Sequence, residues 1–523
     1  MRHWHGKRLY LSPTCQPVLH SHYFVCRRTA RMRGSLIVRS FSFRKYVRNG
    51  TTNRSSRHRR LTDVVESMPV EVTDKGQMLR IWLMMLAACC LLLTATPYAL
   101  AVQESPETEG GPPGGAKPEP NNAGGQAQPD NAPGVVARLA QQKLVNNLRR
   151  MQKSLLTPEI VAGFSSDNRT YRQLLRNGIR RGNAKELEIL QTCLKYRVYS
   201  LSDPDVQKNP GLFEAAFRNL ERELNSASAG IVNAADKQRF RERLCDELLP
   251  LFKELLQNNL NARSIALELL LDFEVAPARN NRGVVMFDQV DDVLLEVLTD
   301  PLQPDVSKTR AANVCKNYLQ KADVTPQVQI TLVNALISEL ARKFTAVAYQ
   351  NTLLAALEEV STPRELVGKK RAIVMLAATA TIQDNTRDIL IRCRAARVLG
   401  RCGFDSAIEF EVLAWKVAEL TLETGVRYND SKNMQDSKWP SCGWHLYLAF
   451  HPEERKETTK GFLNRDAKST LVRGGYDASF DVMLKLMLHD GKVGAGPLTA
   501  LFKWEGKNKP ADLTFDPACP PLK

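Results

Sequence analysis

The sequence predicts an all-α fold: a stacked array of helix pairs, an α-solenoid, with a small α+β cap at its C-terminal end. Three observations carry this. From Val135 to about Gly425, apolar residues recur at helical spacing, in runs punctuated by short turns. The runs fall into pairs, 238–258 with 261–273, 286–299 with 305–321, 326–343 with 346–360, and 363–380 with 386–402. After 426 the pattern changes, and Trp439, Trp444, Trp504, His445, His451 and His489 gather among many turn residues.

The front of the chain is of another kind. The whole sequence of 523 residues carries a net charge of +17, but residues 1–77 alone hold 16 Lys and Arg against Asp63, Glu66, Glu71 and Asp74. The remainder is close to neutral, which argues against nucleic acid as a partner of the body. The basic stretch has no sustained 3.6- or 2-residue periodicity, so it is expected to be disordered, a targeting peptide, or upstream of the true start at Met78.

Residues 78–101 meet each physical criterion of a bacterial-type signal peptide. Arg80 supplies the positive end, Ile81 to Leu93 is an uncharged apolar run, Pro97 breaks it, and Ala99-Leu100-Ala101 forms an A-x-A cleavage site that leaves Val102 first. Uncleaved, Ile81 to Ala101 is long enough to span a bilayer and would be the only membrane contact. A lipobox at Leu86-Ala87-Ala88-Cys89 is a weaker alternative, because the apolar run continues past the cysteine. Residues 102–134 contain seven Pro and seven Gly in 33 positions, too little apolar surface to offset chain entropy, and are expected to form a flexible linker.

Within the body, 135–425, helix starts are marked by Thr325-Pro326 and by Thr362-Pro363-x-Glu365, the second also a capping box. Val328, Leu332, Val333, Leu336, Ile337 and Leu340 make an apolar face, and Gly403 closes a helix beginning near Asn385. In the region 426–523, Trp444 to Phe450 alternates as a strand would, and Phe480 to Leu488 is expected to be a short helix.

Two segments 84 residues apart share a pattern, Arg310-Ala311-Ala312-Asn313-Val314-Cys315 and Arg394-Ala395-Ala396-Arg397-Val398-Leu399, with an echo at Arg371-Ala372-Ile373. Half of that spacing falls in the period of HEAT and armadillo repeats, and over 235–425 the chain resembles such helical-repeat proteins in spacing and small-residue packing. The resemblance implies stacked helix pairs that present rows of side chains to an extended partner.

Candidate chemistry is sparse. Cys442 and His445 lie three residues apart without an oxyanion motif, and His445 and His451 with Glu453 or Glu454 match no common zinc spacing. Gly494-Ala495-Gly496 precedes a proline and is expected to be a turn, and Asp288, Asp291 and Asp292 a solvated helix face. Neither a cofactor nor a metal is expected. Seven cysteines, Cys193, Cys245, Cys315, Cys393, Cys402, Cys442 and Cys519, follow the linker, mostly as small buried hydrophobes, with Cys442 and Cys519 the pair best placed to join. One basic feature stands out: Arg169, Arg172, Arg176 and Arg180, extended by Arg181, recur at helical steps and form a stripe suited to an anionic polymer. The combined expectation is an exported, non-catalytic module in the periplasm or cell envelope whose partner is another protein or an anionic polymer. The alternatives are an envelope hydrolase or lyase with its site in the C-terminal region, and a membrane-anchored protein with a cytoplasmic basic arm.

Overall fold

Helix-start chemistry in this chain repeats one device, an Asn, Asp, Ser or Thr whose side chain accepts from the first free N–H groups, often followed by proline. Thr157 before Pro158, Asp203 before Pro204, Asn209 before Pro210 and Thr325 before Pro326 all act this way. The computed structural model describes residues 133–150 (side chains from Leu139 to Leu148 only), 154–180, 182–278, 283–342, 345–362, 364–454 and 456–522. The signal segment, with Ala99, Ala101 and Val102, the basic front and nearly all of the linker lie outside the described residues.

Among the described residues, eighteen α-helices follow in order. The first seven are α1 (Pro133–Arg150), α2 (Pro158–Asn177), α3 (Ala184–Tyr199), α4 (Pro204–Lys208), α5 (Pro210–Ser226), α6 (Ala234–Leu256) and α7 (Leu260–Leu269). A two-stranded antiparallel sheet, β1 (Glu274–Ala276) and β2 (Val285–Met286), intervenes. Then come α8 (Val290–Thr299), α9 (Asp305–Lys321), α10 (Pro326–Leu340), α11 (Val347–Leu357), α12 (Ile373–Gln383) and α13 (Ile389–Arg401). The last five are α14 (Phe410–Asp430), α15 (Lys438–Phe450), α16 (Phe462–Arg465), α17 (Thr470–Leu488) and α18 (Ala495–Lys507). The fold is therefore all-α. Among the described residues, no helix is long and apolar enough to cross a membrane.

Neighbours in sequence pack together, α6 with α7, α8 with α9, α10 with α11 and α12 with α13. The second member of each pair also packs on the next, α7 on α9, α9 on α11, α11 on α13 and α13 on α15. Polar contacts fix the register: Arg263 donates to Gln303 at 2.5 Å, 40 residues on, and Arg387 to Gln350 at 2.7 Å, 37 residues back. One hydrophobic core runs from Phe164 to Leu522, and α14 passes without a break through position 425.

Three expectations fail for physical reasons. No helix starts at Thr362; α12 begins eleven residues later, at Ile373. The Thr362 N–H and hydroxyl are both taken by Gln329 Oε1, at 3.0 and 2.9 Å, and Arg364 is clamped between Asp405 and Asp516. Tertiary partners thus outcompete the local capping box. Second, Trp444 to Phe450 is helical, not a strand, and every described element after 426 is helical, so the cap is not α+β. Trp439, Cys442, Gly443, Leu446, Ala449 and Phe450 are buried at helical spacing, with Leu448 buried as well, a pattern that a seven-residue window starting at Trp444 hides. Third, the helix expected at 480–488 starts at Thr470, capped by Ser469. Gly474 and Gly475 interrupt its sequence pattern because Trp504 lies on them: a Cβ at Gly474 would stand 2.9 Å from the indole nitrogen.

Candidate anionic-partner groove

Helix α2 buries Phe164, Tyr171, Leu174 and Leu175, so its polar side turns outward. Helix α5 likewise buries Phe217, Leu220 and Leu224 and leaves Asn219, Arg222 and Ser226 on another face. Where α2 and α5 meet, these faces line a groove of about 610 Å³, floored by Phe164 and Leu175. The segment after α5 closes it at one end, with Ser228 N–H donating to Leu175 O at 2.7 Å and Gly230 N–H to Arg176 O at 2.8 Å.

Arg172, Arg176 and Arg222 line the groove and are exposed. None of their guanidinium groups makes a hydrogen bond or ion pair among the described residues. The one carboxylate in the lining is already engaged: Glu223 accepts from Arg197 at 3.0 and 2.6 Å and from the Tyr171 hydroxyl at 2.9 Å. Arg197 is itself held 4.7 Å over the Phe164 ring, which stacks on Tyr196 at 3.8 Å. Asn168 adds a buried side-chain oxygen without a hydrogen-bond partner. The groove thus offers three uncompensated guanidinium groups whose forked donors suit carboxylate or phosphate oxygens.

The arginine stripe is split by the fold. Arg169, Arg172 and Arg176 ride on α2, but Arg169 stays outside the groove. Arg180 lies beyond the C-cap Gly178, whose φ of 83° turns the chain, and sits 3.8 Å from Glu186. Arg181 is outside the described residues. Arg222 and Asn219 were missed because they come from a helix about 50 residues further on, and only tertiary packing sets them opposite Arg172.

The other flank of α5 faces Asp272. Burial, and next the charge of Glu221, raise this carboxyl to about 7; Asn225 is its hydrogen-bond partner, Lys321 opposes the shift, and Glu268 adds to it.

Elsewhere, cations are spent on structure. A smaller cavity of about 260 Å³ is lined by Arg392, Glu423, Lys416 and Glu419, and Arg392 grips Glu423 at 2.6 Å through both terminal nitrogens. Cys442 and His445 share α15, but Cys442 is fully buried beside Cys393, and that contact together with burial holds its thiol well above the usual range. His451 stacks on Tyr447 at 4.7 Å, Glu453 takes Arg397 at 2.9 Å and Glu454 takes Lys456 at 2.8 Å. No metal-binding group of three such side chains occurs among the described residues. Asp291 and Asp292 occupy the first turn of α8, and Gly494 is the N-cap of α18. All seven cysteines after the linker are free and buried; Cys519 donates to Asp516 at 3.1 Å instead of joining Cys442. Comparison with protein-family models, with curated proteins and with solved structures finds no match for this chain.

Proposed function

We propose that the chain is an exported, non-catalytic helical-repeat module of the periplasm or cell envelope, and that its α2–α5 groove takes an acidic segment of another protein. The observation that carries the binding reading is the set of three uncompensated arginines, Arg172, Arg176 and Arg222, around one groove. Past position 260, by contrast, every described arginine except Arg473 holds a carboxylate or carbonyl oxygen. Unpaired guanidinium groups at such a site add little to stability and remain available to an anionic partner.

The row α7, α9, α11, α13 and α15, stepping by about 40 residues, supports an α-solenoid closed by the helices after Lys438. Export rests on the Met78–Ala101 segment, with cleavage between Ala101 and Val102.

The groove is tested with a fluorescent poly-glutamate peptide titrated into the full chain at several salt concentrations. Saturable binding that weakens roughly tenfold between low and physiological salt is the expected result, because exposed charges are screened. Equal binding by a neutral peptide of the same length would overturn it. Export is tested by the N-terminal peptide of the native protein, expected to begin at Val102.

A further inference from the structure

We propose that Cys393 and Cys442 are the two ends of a disulfide that locks α13 to α15 in the oxidised protein. Both thiols are fully buried between the packed helices α13 and α15, Cys393 is the neighbour that together with burial raises the Cys442 thiol, and Cys393 Sγ lies 3.5 Å from Thr424 Oγ1.

The backbones of α13 and α15 also approach closely along the same interface. One heptad beyond the pair, Gly400 lies against Ala449, and a Cβ added to Gly400 would come within 2.2 Å of the Ala449 carbonyl oxygen. Cys393 and Cys442 each stand seven residues before this contact, so two parallel helices would place them at the same level. Further along, Arg397 pairs with Glu453 and Arg401 with Glu457, each at the C-terminal end of the same interface. A disulfide needs Cα atoms about 4.4 to 6.8 Å apart, closer than helices with axes at the usual 8–10 Å generally bring them. At Gly400, two turns along, the absence of a Cβ lets the two backbones come that much closer.

The oxidant is a small disulfide such as oxidised glutathione. A thiolate at Cys393 attacks it, forming a mixed disulfide and expelling one glutathione thiolate. Cys442, deprotonated, then attacks the Cys393 sulfur and expels the second. Two protons and two electrons leave the pair, one S–S bond forms in the protein, and one is broken in the oxidant. Burial makes either thiolate scarce in the closed structure, so the exchange takes place while the α13–α15 interface is open, during folding or local unfolding.

The inference does not depend on what the groove binds. The test uses the full wild-type chain, refolded with oxidised and reduced glutathione, blocked with iodoacetamide in denaturant, and digested without reduction. The expected result is one cross-linked peptide pair containing Cys393 and Cys442, with two fewer alkylated thiols than the seven cysteines of the described body. Dithiothreitol is expected to remove the cross-link and lower the melting midpoint by about 5 °C, as loss of a bridge closing a long loop should. Alkylation of both residues as free thiols, or joining of either to another cysteine, overturns the proposal. Cys519→Ser is the control and retains the cross-link; because the wild type alone decides, no Cys393 or Cys442 variant has to fold.

Discussion

Around Glu358, three arginines converge on one buried carboxylate, whereas along the α2–α5 groove three others face solvent with none. Arg394 lies 2.6 Å and Arg397 2.9 Å from Glu358, Arg401 also contacts it, and Arg397 and Arg401 reach outward to Glu453 and Glu457. Burial alone would raise the Glu358 carboxyl; the three guanidinium groups outweigh it and hold the group at about 2. Burial also pulls Arg394 down to about 10 despite that partner. The same residue type at helical spacing is therefore a structural strut in one place and an open donor in the other. What separates the two is whether a neighbouring helix supplies a carboxylate.

The comparison is broken most severely at Glu358. Glu358→Ala leaves the buried Arg394 without a carboxylate and Arg397 and Arg401 with only their outer partners Glu453 and Glu457, and is expected to cost about 3–5 kcal/mol, read by urea denaturation. The pH dependence follows in sign: with its folded pKa lowered, Glu358 contributes stability that is fully present above its unfolded value and is lost as pH falls from about 4.5 through about 2. An acid titration that Glu358→Ala flattens over that window would confirm it. Next in size is Gly400→Ala, where the new methyl meets the Ala449 backbone; a loss of about 2–3 kcal/mol is expected from overpacking.

Asp272 tests the groove helix from behind. Its folded pKa of about 7 lies above the unfolded value, so folding favours the protonated form, and stability falls as pH rises from about 4 to 7. Asp272→Asn is expected to remove that slope and to stabilise the protein at pH 8 by on the order of 2 kcal/mol. The smallest effect on stability belongs to the groove itself. Reversing Arg172, Arg176 and Arg222 to glutamate should change unfolding free energy by under about 0.5 kcal/mol per site, since none has an intramolecular partner to lose.

Much of the helical framework was legible. Thr325-Pro326 began a helix where local capping chemistry said it would, because nothing in the fold competes for the Thr325 side chain. Thr362-Pro363 failed because Gln329, 33 residues away, takes the Thr362 N–H and hydroxyl, and the Glu365 carboxylate that the capping box needs is held by Arg371. Trp444 to Phe450 failed because a short apolar run carries both periodicities, and the helical one emerges only when Trp439 and Cys442 are included. Of the groove, Arg172 and Arg176 were visible as a stripe on one helix. Arg222 was not, since one-helix periodicity says nothing about which second helix lies alongside. Arg180 left the stripe because Gly178 ends α2 before reaching it.

The central claim is that Arg172, Arg176 and Arg222 bind an acidic partner. The most direct measurement is the affinity of the full-length triple variant R172E/R176E/R222E for the poly-glutamate peptide, taken beside its urea midpoint. The account predicts loss of binding by at least about a hundredfold, roughly tenfold or more per reversed pair of charges at low salt, with the midpoint unchanged. Wild-type affinity in a folded triple variant would contradict it, and would make these arginines an ordinary solvated helix face.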